Sequence, residues 1–190
     1  LDTQEWPVGY HYEIGGKVES SKIATGAITA KLPIALMIIL LVIMMQFNSF
    51  SNTAIILTTI PLGIIGVVIG LLVTDTSFAF MSFLGVISLI GIVINNAIIL
   101  IERIETELEN GLSPQDAIVE AAQRRMRPIL LTTMTTIGGL IPLWISGGPM
   151  WQPMAIAIIF GIGFSTLLTL GVVPILYSVF NKIKFDKERK

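Results

Sequence analysis

The residues of this sequence that can do chemistry are polar side chains inside long apolar runs. Asn95 and Asn96 interrupt one run, and Thr132, Thr133, Thr135 and Thr136 interrupt another. An unpaired amide in hydrocarbon costs several kcal/mol, so at least one asparagine is expected to face another helix. Two interpretations remain open: hydrogen bonds that hold helices together, or a polar layer that lines a path for protons or ions.

Both polar sets fall at a similar depth. Asn96 lies about 9 Å along a helix axis from Glu102, and Thr132 lies about 7.5 Å from Arg127. No charged residue occurs in the intervals 32–74, 76–101 and 128–181. Asp75 lies between two of these intervals and is expected to be a solvated acid in an outer loop. A carboxylate for ion coupling would therefore have to lie outside these runs.

The composition excludes most soluble functions. Of 190 residues, 53% are hydrophobic and 13% are charged, against about 25% charged in soluble domains. The net charge of −1 excludes a broad basic face for nucleic acid. With no cysteine and with His11 as the single histidine, no catalytic pair, metal cluster or cofactor site can be assembled. The sequence predicts a membrane protein that is not an enzyme.

The charge-free intervals predict five membrane spans, because one crossing takes about 20 apolar residues. Polar breaks at 46–52 and 147–153 divide the first and third intervals. The predicted transmembrane bundle covers 28–180, with spans at 28–47, 53–73, 78–101, 129–146 and 154–180.

The basic residues predict the orientation. Segment 103–127 and the tail 181–190 carry nine of the twelve lysines and arginines, which places both in the cytoplasm. Ser113 followed by Pro114 is typical of a helix start. It predicts an amphipathic cytoplasmic helix over 113–127 on the membrane surface, after a stop at Gly111.

The N-terminal segment 1–27 is expected outside the cytoplasm. Residues 8–14 alternate apolar and polar side chains, as a half-buried strand does. A lone strand cannot bury its face, so it is expected to be the end of an external domain, joined to the first span by a connecting helix. The chain is therefore interpreted as the C-terminal piece of a longer polypeptide.

Several motifs resemble one transporter family. Residues 91–102 are similar to the tenth transmembrane helix of the resistance–nodulation–division (RND) efflux permeases, and residues 124–133 resemble the opening of the eleventh. Residues 46–50 and 61–63 resemble the turn after the eighth helix and a motif of the ninth. The similarity covers nearly the whole chain, in order and with matching spacing.

The resemblance implies an all-α membrane protein, with helices eight to twelve of a twelve-helix core. The strand would be a short β remnant of a periplasmic domain. RND permeases are homotrimers in the bacterial inner membrane that work with a periplasmic adaptor and an outer-membrane channel. They export drugs, detergents or metal ions in exchange for protons. The remainder of the permease polypeptide would supply aspartates on helix four.

The resemblance also assigns relay positions. The relay threonine of the family falls on Thr132, the arginine before it on Arg125, and a family asparagine on Asn96. The lysine that many drug pumps carry on helix ten falls on Asn95, which cannot titrate. The relay here would then use the remaining carboxylates alone, or Asn95 as a hydrogen-bonding spacer.

Two other functions remain open. A SecD/SecF-like protein-export accessory shares the core topology and the use of protons. A structural membrane bundle without transport would use the polar residues for stability alone.

Overall fold

The computed structural model describes residues 16–181 and residue 183. The predicted strand at residues 8–14 lies outside the described residues, as does most of the predicted tail. The chain divides into two compact units, Leu1–Val42 and Ile43–Lys190.

Five helices make up the described chain. They are α1 (Lys17–Phe47), α2 (Phe50–Val73), α3 (Phe80–Glu109), α4 (Pro114–Ser146) and α5 (Gly148–Phe180). Each is long and apolar enough to cross a membrane. The predicted fold class, an all-α membrane bundle of five helices, is confirmed.

Local sequence signals set the ends of the helices around the α3–α4 turn. Gly111 adopts the left-handed conformation with φ 86°, and its N–H donates to the Leu108 carbonyl at 3.0 Å. Ser113 caps α4 by accepting from the Asp116 N–H at 3.2 Å, and Pro114 occupies the first turn. Proline suits that position because a backbone N–H in the first turn of a helix has no partner within the helix, so nothing is lost when it is absent. The predicted stop at Gly111 and the predicted start at Ser113 are confirmed.

Helix α4 runs without a break through Pro128. It joins the segment predicted as a cytoplasmic helix to the fourth predicted span. Proline removes one backbone hydrogen bond, but its fixed φ of about −65° is compatible with a helix. With 33 residues and a rise of about 1.5 Å each, α4 exceeds the hydrocarbon thickness of about 30 Å.

Helix α5 is central in the unit 43–190, where it packs against α2, α3 and α4. The core between α2, α3 and α5 consists of buried aliphatic side chains: Val67, Leu71, Leu89, Val93, Ile156, Ala157 and Ile162. Trp144 of α4 meets Phe160 of α5 edge-on, with ring centroids 6.0 Å apart. The central position of α5 means that three other helices depend on its face.

Glycines allow α2 and α5 to approach closely. A Cβ at Gly66 would lie 2.7 Å from the Phe160 carbonyl oxygen, and one at Gly70 would lie 2.4 Å from the Phe160 Cβ. Real Cβ atoms do not approach other atoms so closely. In hydrocarbon, where no hydrophobic force drives helices together, contacts of this kind supply the packing energy.

We expect Gly66→Ala to lower the free energy of unfolding by about 1–3 kcal/mol, because the added methyl must displace the α5 backbone. Gly171→Ala is the matched control, since a Cβ there meets nothing within 4 Å. Thermal unfolding of the detergent-solubilised protein measures both. Equal midpoints for the two variants would contradict the close-contact account.

Candidate functional site: a polar layer on α3 and α4

Asn95 and Asn96 occupy different environments on α3. Asn95 is exposed, whereas Asn96 is only 9% exposed. Successive residues of a helix differ by about 100° in direction, so only one of the two can face the core. Asn95 lies seven residues before Glu102, which is also exposed. This spacing is close to two full turns, so the two side chains share one face.

Thr132 and Arg125 form the corresponding face of α4. They too are seven residues apart and hence nearly aligned, about 10.5 Å apart along the axis. Thr132 is exposed, and its hydroxyl donates to the Ile129 carbonyl of its own helix at 2.9 Å. Arg125 as a whole is half-buried. Its Nε atom is fully buried and has no hydrogen-bond partner in the described chain. Both residues therefore retain bonding capacity.

The four predicted site residues are not joined to one another. Between residues 16 and 181, no hydrogen bond or ion pair connects Asn95, Asn96, Thr132 and Arg125. A neighbouring threonine does link two helices: the hydroxyls of Thr133 and Thr166 are 2.9 Å apart and buried between α4 and α5. For Thr133 the structure thus agrees with the interhelical hydrogen-bond interpretation.

An ion network that sequence reasoning missed lies at the end of the bundle that carries residues 102–127, here called the arginine end. Glu107 of α3 is 3% exposed. It pairs with Arg103 one turn earlier and lies 3.7 Å from the Nε of Arg124 on α4. Arg124 also pairs with the half-exposed Glu120 at 2.5 Å. The four-residue spacing of Arg103 and Glu107 was a usable signal for the first pair.

A second contact at the arginine end fixes α2 to α3. The side-chain amide of Asn52, which is 4% exposed, donates to the Glu105 carboxylate at 2.5 Å. Asn52 lies in the first turn of α2, which Ser49 caps. Two glutamates near the C-terminal end of α3 therefore contact two different helices: Glu105 contacts α2 and Glu107 contacts α4.

Small residues accompany the polar face. A Cβ added at Gly91 of α3, or at Gly138 or Gly139 of α4, would meet nothing within 4 Å. Gly91 lies four residues before the exposed Asn95, and Gly139 lies seven residues after the exposed Thr132, so each shares a face with the polar residue of its helix. Glycines of membrane helices permit close helix contacts, so these faces of α3 and α4 are suited to receive another helix.

Comparison with known proteins identifies the family. The AcrB/AcrD/AcrF family profile matches residues 1–181. The chain belongs to this family. Members are RND efflux permeases, as the motifs at 91–102 and 124–133 indicated.

Curated relatives include two metal-resistance proteins. The nickel-cobalt-cadmium resistance protein NccA of Alcaligenes xylosoxydans xylosoxydans is 32% identical over 171 residues, which is 88% of this chain and 16% of that protein. The nickel and cobalt resistance protein CnrA of Cupriavidus metallidurans is 31% identical over 179 residues, 93% of this chain and 17% of CnrA. The swarming motility protein SwrC of Bacillus subtilis (strain 168) is 39% identical over 157 residues, 80% of this chain and 15% of SwrC.

A solved structure agrees with the family assignment. The crystal structure of a heavy metal efflux pump superposes with a TM-score of 0.77 at 30% identity, covering 88% of this chain and 17% of that one. The chain thus spans 15% to 17% of the length of these family members.

We expect Glu107→Gln to lower the free energy of unfolding by about 1–3 kcal/mol, because it replaces the buried carboxylate that faces two arginines with a neutral amide. Glu120→Gln is the matched control: it neutralises a half-exposed partner of the same Arg124 and should cost less than about 1 kcal/mol. The midpoint of thermal unfolding in detergent, measured for both variants and the wild type, compares their stabilities. A Glu120 variant as destabilised as the Glu107 variant would contradict the buried network.

Proposed function

We propose that this chain is the C-terminal membrane part of a proton-driven efflux permease. The observation that carries the proposal is the open polar face of α3 and α4. Asn95 and Thr132 are exposed there, and Arg125 retains an unpartnered buried Nε. These residues stand at the relay positions that the family resemblance assigns. The face is completed by the remainder of the permease polypeptide, which supplies the helix-four aspartates.

Asn95 alters the relay relative to many drug pumps. A lysine at this position would bring a positive charge to offset acidic partners. Asparagine offers only hydrogen bonds. The positive charge closest to this face along α4 is then that of Arg125, so the aspartates and Arg125 carry the charge changes of the cycle, and Asn95 connects them as a neutral donor and acceptor.

The substrates we propose are hydrophobic or amphiphilic compounds such as drugs and detergents. Metal ions are the second candidate, which the names of NccA and CnrA favour. In both cases the permease lies in the inner membrane with the arginine end in the cytoplasm, because that end carries the basic residues. It works as a homotrimer with a periplasmic adaptor and an outer-membrane channel.

We expect Thr132→Ala and Asn96→Ala to abolish the tolerance that the full-length parent gene confers on an efflux-deficient host. Thr132→Ala removes a hydroxyl from the open polar face, and Asn96→Ala removes the buried amide next to Asn95 that the family resemblance also assigns to the relay. The measurement is growth on panels of drugs, bile salts and metal ions, with membrane abundance checked. Thr58→Ala is the matched control, since this exposed threonine of α2 bonds only its own helix, to the Ala54 carbonyl at 2.9 Å.

The panel also separates the candidate functions. Tolerance to metal ions alone would identify the substrate as metal, and tolerance to drugs or bile salts would support the organic class. No tolerance to any compound would contradict export and favour the accessory or structural function. If the Thr132 and Asn96 variants retain full tolerance at normal membrane abundance, the polar layer has no role in export.

We expect Asn95→Lys to change the pH dependence of export. A lysine at the exposed face introduces a charge that stabilises the ionised aspartates, so protons bind to them only at lower pH. The export rate in proteoliposomes, measured against pH, should reach its half-maximum at a more acidic value than in the wild type. Asn95→Gln, which stays neutral, should keep the wild-type profile, and identical profiles for all three proteins would refute a shared relay.

A further inference from the structure

We propose that the turn after α2 is a binding site for an organic cation with an apolar body. A cavity of about 420 Å³ lies between the end of α2 and the start of α3, at the opposite end of the bundle from the arginines. Four apolar side chains line it: Val68, Leu71, Leu72 and Phe78. The polar part of the lining is Asp75 with Thr76 and Ser77. This site is separate from the polar layer and does not depend on the proposed export.

Asp75 occupies the left-handed position that ends α2, a conformation that aspartate is one of the few non-glycine residues to adopt. Its φ is 50°, and its N–H donates to the Leu72 carbonyl at 3.3 Å, while the Thr76 N–H donates to Leu71 at 2.9 Å. These two bonds are those of a Schellman motif, whose left-handed position favours glycine or asparagine. At the other left-handed helix ends of the described chain stand Asn48, with φ 45°, Gly111, with φ 86°, and Gly148, with φ 64°.

The charge of Asp75 is unfavourable at the end of α2. The C-terminus of a helix is the negative end of its dipole, so a carboxylate just after α2 is repelled. None of the ion pairs in the described chain includes Asp75. The arginines among residues 43–181, which are Arg103, Arg124, Arg125 and Arg127, all lie at the arginine end. Asp75 is exposed, so its unpaired carboxylate is open to a ligand that brings a positive charge.

The lining determines the class of ligand. An unpaired carboxylate with adjacent hydroxyls attracts a cation. A calcium-like ion takes six to eight oxygen ligands, several of them carboxylates, whereas this lining supplies a single carboxylate and four apolar side chains. The ring of Phe78, which is 63% exposed, is available for a cation–π contact. An apolar organic cation uses all of these features together.

The test is equilibrium binding of tetraphenylphosphonium to the full-length permease in phosphatidylcholine nanodiscs without a proton gradient. Tetraphenylborate, an anion of the same shape, controls for apolar partitioning. Asp75→Asn keeps a residue suited to the left-handed turn and removes the charge. We expect it to weaken phosphonium binding at one site per protomer by about fivefold, the value of a charge pair at about 4 Å in water, and to leave borate binding unchanged or stronger.

Three further measurements complete the test. Phe78→Ala should weaken phosphonium binding by about two- to fivefold. Glu109→Gln, which removes an exposed acid at the arginine end, should have no effect. The melting temperature of Asp75→Asn should equal or exceed that of the wild type, and Asp75→Gly should behave in the same way.

The proposal is overturned if phosphonium binding is unchanged in Asp75→Asn, or if phosphonium and borate binding fall together. A lower melting temperature for both Asp75 variants would also overturn it, because aspartate would then be a structural choice. Since the measurement involves no transport, a permease that binds the cation through Asp75 but confers no tolerance would contradict the proposed export and leave this site intact.

Discussion

The close approach of α2 and α5 is the contact on which the bundle depends. Lipid chains are as apolar as the helix surfaces, so burial alone does not hold the helices together. Gly66 and Gly70 let the backbone of α2 reach Phe160 and its neighbours, where many short dispersion contacts accumulate. Because α5 also contacts α3 and α4, the α2–α5 contact helps to hold the helix against which those two helices pack.

The number and type of the helices could be predicted because each rests on local properties. Charge-free intervals long enough to cross hydrocarbon occur only a few times in the sequence, and Ser113, Pro114 and Gly111 have strong preferences for helix ends. The continuity of α4 was not predictable in the same way. Pro128 is compatible with either a helix start or a helix interior, and the surrounding packing decides between them.

The environments of the site residues were harder to predict than their presence. The sequence indicates that one asparagine of the pair faces a helix, but it does not give the rotation of α3 that buries Asn96 and exposes Asn95. Glu107 is one of four glutamates between residues 102 and 109, and its spacing to Arg103 indicates only the pair within α3. Its burial and its contact with Arg124, which is 17 residues away along the chain, depend on the α3–α4 turn being formed.

The unbroken α4 has a mechanical consequence. Arg125 and Thr132 lie on either side of Pro128 in one continuous helix, nearly aligned on the same side of its axis. Pro128 has no N–H to donate to the Arg124 carbonyl four residues earlier, so the backbone between the guanidinium and the hydroxyl lacks one hydrogen bond. An interior proline is where a helix bends most readily, so bending of α4 at Pro128 would turn Thr132 relative to Arg125. The contact of Glu107 with Arg124 ties α4 to α3 on the N-terminal side of that point.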